Sequence, residues 1–183
     1  MQEVELICLA NSRKKGGQCV AGLRTDGAGW IRPLNRTSWY TLDDGNDISI
    51  LDVVRISLRE HQPQPYQPEN WTIPDGPLHF VRKLNSAEIE SWLEPAIVRG
   101  PELLGNQLDR VAKASLEQNP ISASLAIVEP SEIRWHITTN VHDRRQNRAR
   151  FVLDGCNYDL GITDPIWERK LADLPMGLHE CHE

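Results

Sequence analysis

Apolar and polar residues alternate with period two along much of this chain, the pattern of strands that bury one face. In "VVRISLRE", Val54, Ile56 and Leu58 fall on one side and Arg55, Ser57 and Arg59 on the other. "VELICLA" and "QCVAGLR" flank a basic loop as a hairpin, "DGAG" marks a turn, and "WIRPL" and "LHFVRKL" read as further short strands, which makes about five by Leu84. The stretch "HQPQPYQPENWTIPDGP" holds too many prolines for a central strand or a helix, since each fixes its own φ and removes a donor; it predicts a long surface loop.

The period then changes. Asn85 stands three residues before Glu88, a capping-box spacing, and Ile89, Trp92 and Leu93 form an apolar stripe that Pro95 ends. A second helix is predicted through "NQLDRVAKASLEQ", from the spacing of Leu104, Leu108, Val111 and Ser115. After Pro120 alternation resumes in "SLAIVEP", in "EIRWHIT" (Ile133, Trp135, Ile137), in "RARFVLDG" (Ala149, Phe151, Leu153) and in "NYDLGIT" (Tyr158, Leu160, Ile162). Because most consecutive strands have no helix between them, a parallel α/β sheet is disfavoured. The expected fold is mainly β with a few helices: two small OB-like antiparallel β-barrels packed together and joined by a helical segment, with boundaries at 1–84, 85–119 and 120–183.

Composition narrows the class. At 183 residues, 39% hydrophobic and 25% charged, the chain can build a core and is not disordered. No apolar run reaches the ~20 residues of a membrane span and no basic, apolar leader opens the sequence, so a cytoplasmic protein with no membrane contact is expected. Cys8, Cys19, Cys156 and Cys181 lack C-x-x-C spacing and read as reduced thiols, with neither a metal site nor a cofactor expected. The net charge of -6 comes from the second half: residues 1–85 hold 10 basic and 10 acidic side chains, residues 86–183 hold 10 and 16. Two basic spots nevertheless stand out, residues 13–15 and the cluster Arg134, Arg144, Arg145, Arg148 and Arg150, within which Asp143 is the one acid in sequence.

"ICLANSRKKGGQCVAGL", "GWIRPL" and the late "YDLGITDPIWE" together resemble the dual OB-containing domain family of bacteria and archaea, over roughly residues 4–168. The resemblance implies two OB-type barrels and nucleic-acid binding, in some members as an accessory part of larger prokaryotic systems. It implies no known reaction, and one fold hosts many functions.

The residues support that expectation independently. Asn11, Arg13, Lys14, Lys15, Gly16 and Gly17 form a loop suited to phosphate, with cations for charge and glycines that let backbone N–H groups approach an anion. It lacks the order of a nucleotide-binding P-loop. Trp30 and Arg32, two apart on a strand, share a face and offer stacking beside a phosphate or base-edge contact; equally, Trp30 can be core and Arg32 can meet a carboxylate. Arg144, Arg145, Arg148 and Arg150 can line one groove, with Trp135 as a second stacking residue, or form a solvated turn.

Catalytic arrangements fail on inspection. Asp43, Asp44 and Asp47 lie in a turn-like loop, Asp164 of "TDP" caps or turns the chain, the histidines are scattered, and "GLHECHE" reads as a fraying tail. The expectation is therefore a non-enzymatic module for single-stranded DNA or RNA, or for nucleic-acid ends. A protein-interaction adaptor for a partner enzyme and a nucleotide-binding sensor stand as alternatives.

Overall fold

The computed structural model describes residues 1–14, 17–104, 106 and 109–181, with only the backbone course given for Arg13 and Lys14. Lys15 and Gly16 of the basic loop, Leu108 of the expected second helix and His182 of the tail lie outside the described residues.

The alternation at the start of the chain builds β1 (Gln2–Lys14), which serves both faces of a sheet. Val4, Leu6 and Cys8 enter one apolar cluster, while Ile7 and Leu9 pack into another on the opposite side. β1 pairs antiparallel with β2 (Gly17–Arg24), the expected hairpin, and on its other edge with β4 (Asp52–Leu58). β3 (Trp30–Leu34) extends the sheet beyond β2, and β7 (His79–Lys83) extends it beyond β4. Val54, Ile56 and Leu58 are buried as their alternation required. α1 (Ser86–Leu93) then covers the second cluster with Ile89 and Trp92. Its capping box is complete: Asn85 Oδ1 accepts from the Ala87 and Glu88 N–H groups, and Glu88 Oε2 accepts from Asn85 N.

The proline-rich segment is more ordered than its composition suggested. β5 (Glu60–His61) and β6 (Asn70–Thr72) lie within or beside it, and β6 pairs in parallel with β3. The prolines fall outside the paired residues, so they cost no ladder hydrogen bond. The first sheet thus has seven strands in the order β5-β6-β3-β2-β1-β4-β7.

The second sheet holds four strands, in the order β10-β9-β8-β11. β8 (Ser131–Thr139), β9 (Arg145–Leu153) and β10 (Cys156–Gly161) follow the predicted alternation, with Phe151, Leu153 and Tyr158 at their core. The fourth strand is β11 (Gly177–Glu180), in the segment expected to fray; it pairs with β8 from Gly177 opposite Ile137 to Glu180 opposite Arg134. "SLAIVEP" contributes only an isolated bridge between Ile127 and Ile97. The second helix is shorter than expected, α2 (Lys113–Gln118), and a third, α3 (Pro165–Lys170), was not foreseen. The "TDP" residues explain it: Asp164 Oδ1 accepts from the Ile166 and Trp167 N–H groups, and Pro165 occupies the first turn.

Among the described residues neither ladder closes on itself. The closure of each sheet into a barrel, expected from the sequence, is not seen in the strand pairing, and the β3–β6 parallel pair departs from an all-antiparallel plan.

Candidate nucleic-acid interface

Trp30 and Arg32 of β3 do not form an open binding face. Arg32 is buried, with its Nη2 2.8 Å from Glu69 Oε1, its Nε 3.1 Å from the same oxygen, and a further bond from Nη2 to Ser124 Oγ at 2.9 Å. The segment leading to the second sheet is thereby fastened to the first, since Ser124 also donates to Glu69. Burial alone would push the Glu69 carboxyl up, but the Ser124 and Arg32 donors bring it below the usual glutamate range. Arg32 therefore corrects the sequence expectation: its charge is matched within the fold and cannot serve a phosphate. Trp30 is half-buried in a separate groove with His61 and Trp71, whose rings stack at 4.7 Å.

The second basic spot is largely neutralised. Asp159 of β10 sits opposite Arg150 and takes Arg148 Nε at 2.5 Å and Arg150 Nε at 2.8 Å, and Arg148 Nη2 reaches Asp109 at 2.9 Å. Burial would raise the Asp159 carboxyl; Arg148 and Arg150 hold it below the usual aspartate range. Arg145 donates through Nη2 to the carbonyls of Leu171 and Leu174, both at 2.8 Å, and so fastens the end of α3. Arg144 alone of the four is exposed with no side-chain partner among the described residues. Trp135 is half-buried and packs against Trp167 of α3 at 4.7 Å, with Lys170 Nζ 4.4 Å above the Trp167 ring.

A different tryptophan faces solvent. Trp39 is 58% exposed, whereas the other five are half-buried. The loop that carries it is fixed from several directions. Asn35 Nδ2 donates to Trp39 O at 2.9 Å, Asn35 Oδ1 accepts from Ser38 N at 2.6 Å, and Thr37 Oγ1 accepts from Trp39 N at 3.3 Å. The next residue, Tyr40, is buried and donates its hydroxyl to Pro33 O at 2.6 Å. Ser38, at φ 55°, turns its carbonyl to accept from Gln18 N at 2.7 Å, which docks the loop on β2. Gly17 makes that approach possible, because a Cβ there would overlap Ser38 O. For Gly17, then, the glycine requirement traces to this docking rather than to a phosphate.

Trp39 overlooks a groove of about 530 Å³ with Asn11, Gly17, Gln18, Asp47, Ile48 and Ile50 on one side and Asp164, Pro165, Ile166 and Arg169 of α3 on the other. The volume suits one small ligand or one unit of a polymer. Asn11 Nδ2 donates to Ile48 O at 2.9 Å, which fixes the amide and leaves Oδ1 without a partner. Arg169 is exposed and forms no ion pair among the described residues. On the hairpin side the groove is lined by Asn11 of β1 and by Gly17 and Gln18 of β2.

A family model described as a dual OB-containing domain matches residues 4–183, nearly the whole chain. The chain belongs to that family. No curated protein and no solved structure gave a significant match. For this dual OB chain the family agrees with a mainly β architecture in two sheets, and among the described residues no group of three metal-ligating side chains assembles. No described helix is long and apolar enough to cross a membrane. Trp39 and Arg169 escaped the sequence reading because neither lies in an alternating segment. The "NRTSW" turn chemistry, with Asn, Thr and Ser immediately before a tryptophan, was the available signal for Trp39.

Proposed function

We propose that this chain is a non-enzymatic module that binds single-stranded nucleic acid, with Trp39 as its stacking platform. The observation that carries the reading is a tryptophan held outward by a hydrogen-bonded loop, at a groove that Arg169 also lines. An exposed indole offers a face on which any base can stack. Preorganisation matters because the loop loses little further entropy when the ring is stacked. Arg169 supplies a cation in the groove lining, and the basic residues Arg13, Lys14 and Lys15 follow Asn11 closely in sequence.

Fluorescence anisotropy with labelled single-stranded and duplex DNA and RNA, at about 50 and about 200 mM salt, tests this directly. Single strands should bind more tightly than duplex. Trp39→Ala should weaken binding about 5- to 150-fold, the range for loss of one base–aromatic stack. Changing Arg13, Lys14 and Lys15 together to alanine should flatten the dependence of log K on log salt by about 2, at roughly 0.7 for each phosphate neutralised on a single strand. Absence of binding to all four probes would overturn the reading and make Trp39 an anchor for a partner protein.

A further inference from the structure

The Trp39 groove is not uniformly cationic. Its lining carries Arg169, but it also includes two carboxylates, Asp47 and Asp164. Asp47 is exposed and has no side-chain partner among the described residues. Asp164 spends Oδ1 on the α3 N-terminus, and the Asn11 carbonyl adds a fixed, unpartnered partial negative charge beneath the floor. Gln18 has its Oε1 engaged by Tyr40 N. A phosphate on this floor would face negative charge, whereas a base carries no net charge and presents donors at its edge.

Taking the proposed single-strand binding as its basis, we infer that the strand lies base-inward: a base stacks on Trp39 with its edge toward Asp47, and a flanking phosphate rests on Arg169. The groove then selects for bases that bear an exocyclic amino group. Cytosine and uracil isolate the effect. Both carry the same O2 acceptor, which an amide or guanidinium can serve equally, but at position 4 cytosine has an amino donor and uracil a carbonyl. A donor meets the Asp47 carboxylate favourably; a carbonyl there places two acceptors against each other, leaving both unsatisfied as water is excluded.

The test is competition between oligo-dC and oligo-dU of equal length for the full chain at fixed salt, with Asp47→Ala alongside. The wild-type chain should prefer oligo-dC by about fivefold or more, the low end for one specific base-edge contact. Asp47→Ala should bring the ratio toward one by raising affinity for oligo-dU, because the opposed acceptor leaves the groove, with little or no gain for oligo-dC, which loses its contact. A structural defect would instead weaken both. Equal or tighter binding of oligo-dU by the wild-type chain, with the Trp39→Ala loss intact, overturns the base-inward selection and leaves single-strand binding standing. Failure of both oligomers to bind overturns the two readings together.

Discussion

Two tryptophan–arginine pairs invite comparison. Trp30 and Arg32 are two residues apart on one strand, and the pair is spent on the fold: the indole is half-buried and the guanidinium is matched by Glu69 and Ser124. Trp39 and Arg169 come from distant parts of the chain, and both are exposed across one groove. Proximity in sequence marks residues that one element can bury together, whereas a binding groove gathers side chains from elements with no local reason to be near each other. The same contrast separates the cations. Arg148 and Arg150 lie in a stretch with a single acid in sequence, yet Asp159 answers both from the neighbouring strand.

The sharpest break of the comparison is Arg32→Ala. It strands Glu69 inside without its cation, and removal of one partner of a buried pair costs about 3–5 kcal/mol. Urea unfolding should show the loss. The intact protein should also lose stability as pH falls: the folded Glu69 carboxyl is held below its ordinary 4.5, so its contribution is full above that value and disappears as pH drops through the folded pKa. In Arg32→Ala that acid-linked component should be smaller, with the share from the Ser124 and backbone donors remaining.

Gly17→Ala comes next. A methyl group at this position pushes Ser38 off β2, so affinity for single strands should fall by no more than the Trp39→Ala loss, and the two substitutions together should be little worse than Trp39→Ala alone. An unchanged salt slope would separate loss of stacking from loss of charge. Arg169→Ala should reduce that slope by about 0.7, the share of one phosphate. Smallest of all, Arg150→Ala should leave both affinity and slope unchanged, because its guanidinium answers Asp159; a fall in slope there would return the second basic spot to the interface.

Most of the strands were legible because alternation reports burial on one face, and the α1 cap was legible because its chemistry is local. β6 was hidden by the prolines around it, although Asn70, Trp71 and Thr72 themselves contain none. β11 carries little apolar signal; it exists because β8 offers an edge, which a residue-by-residue reading cannot see. The site was legible only in part. The hairpin and its glycines drew notice, but Arg32, Arg145 and Arg148 are distinguishable from free cations only once Glu69, the α3 carbonyls and Asp159 are placed beside them.

The groove draws on Asn11 near the start of the chain and on Arg169 near its end. During synthesis the hairpin and the Trp39 loop leave the ribosome well before α3 exists, so a nascent chain presents a platform with one wall missing. Contacts of such long sequence separation form late. The groove is thereby complete only once α3 has emerged.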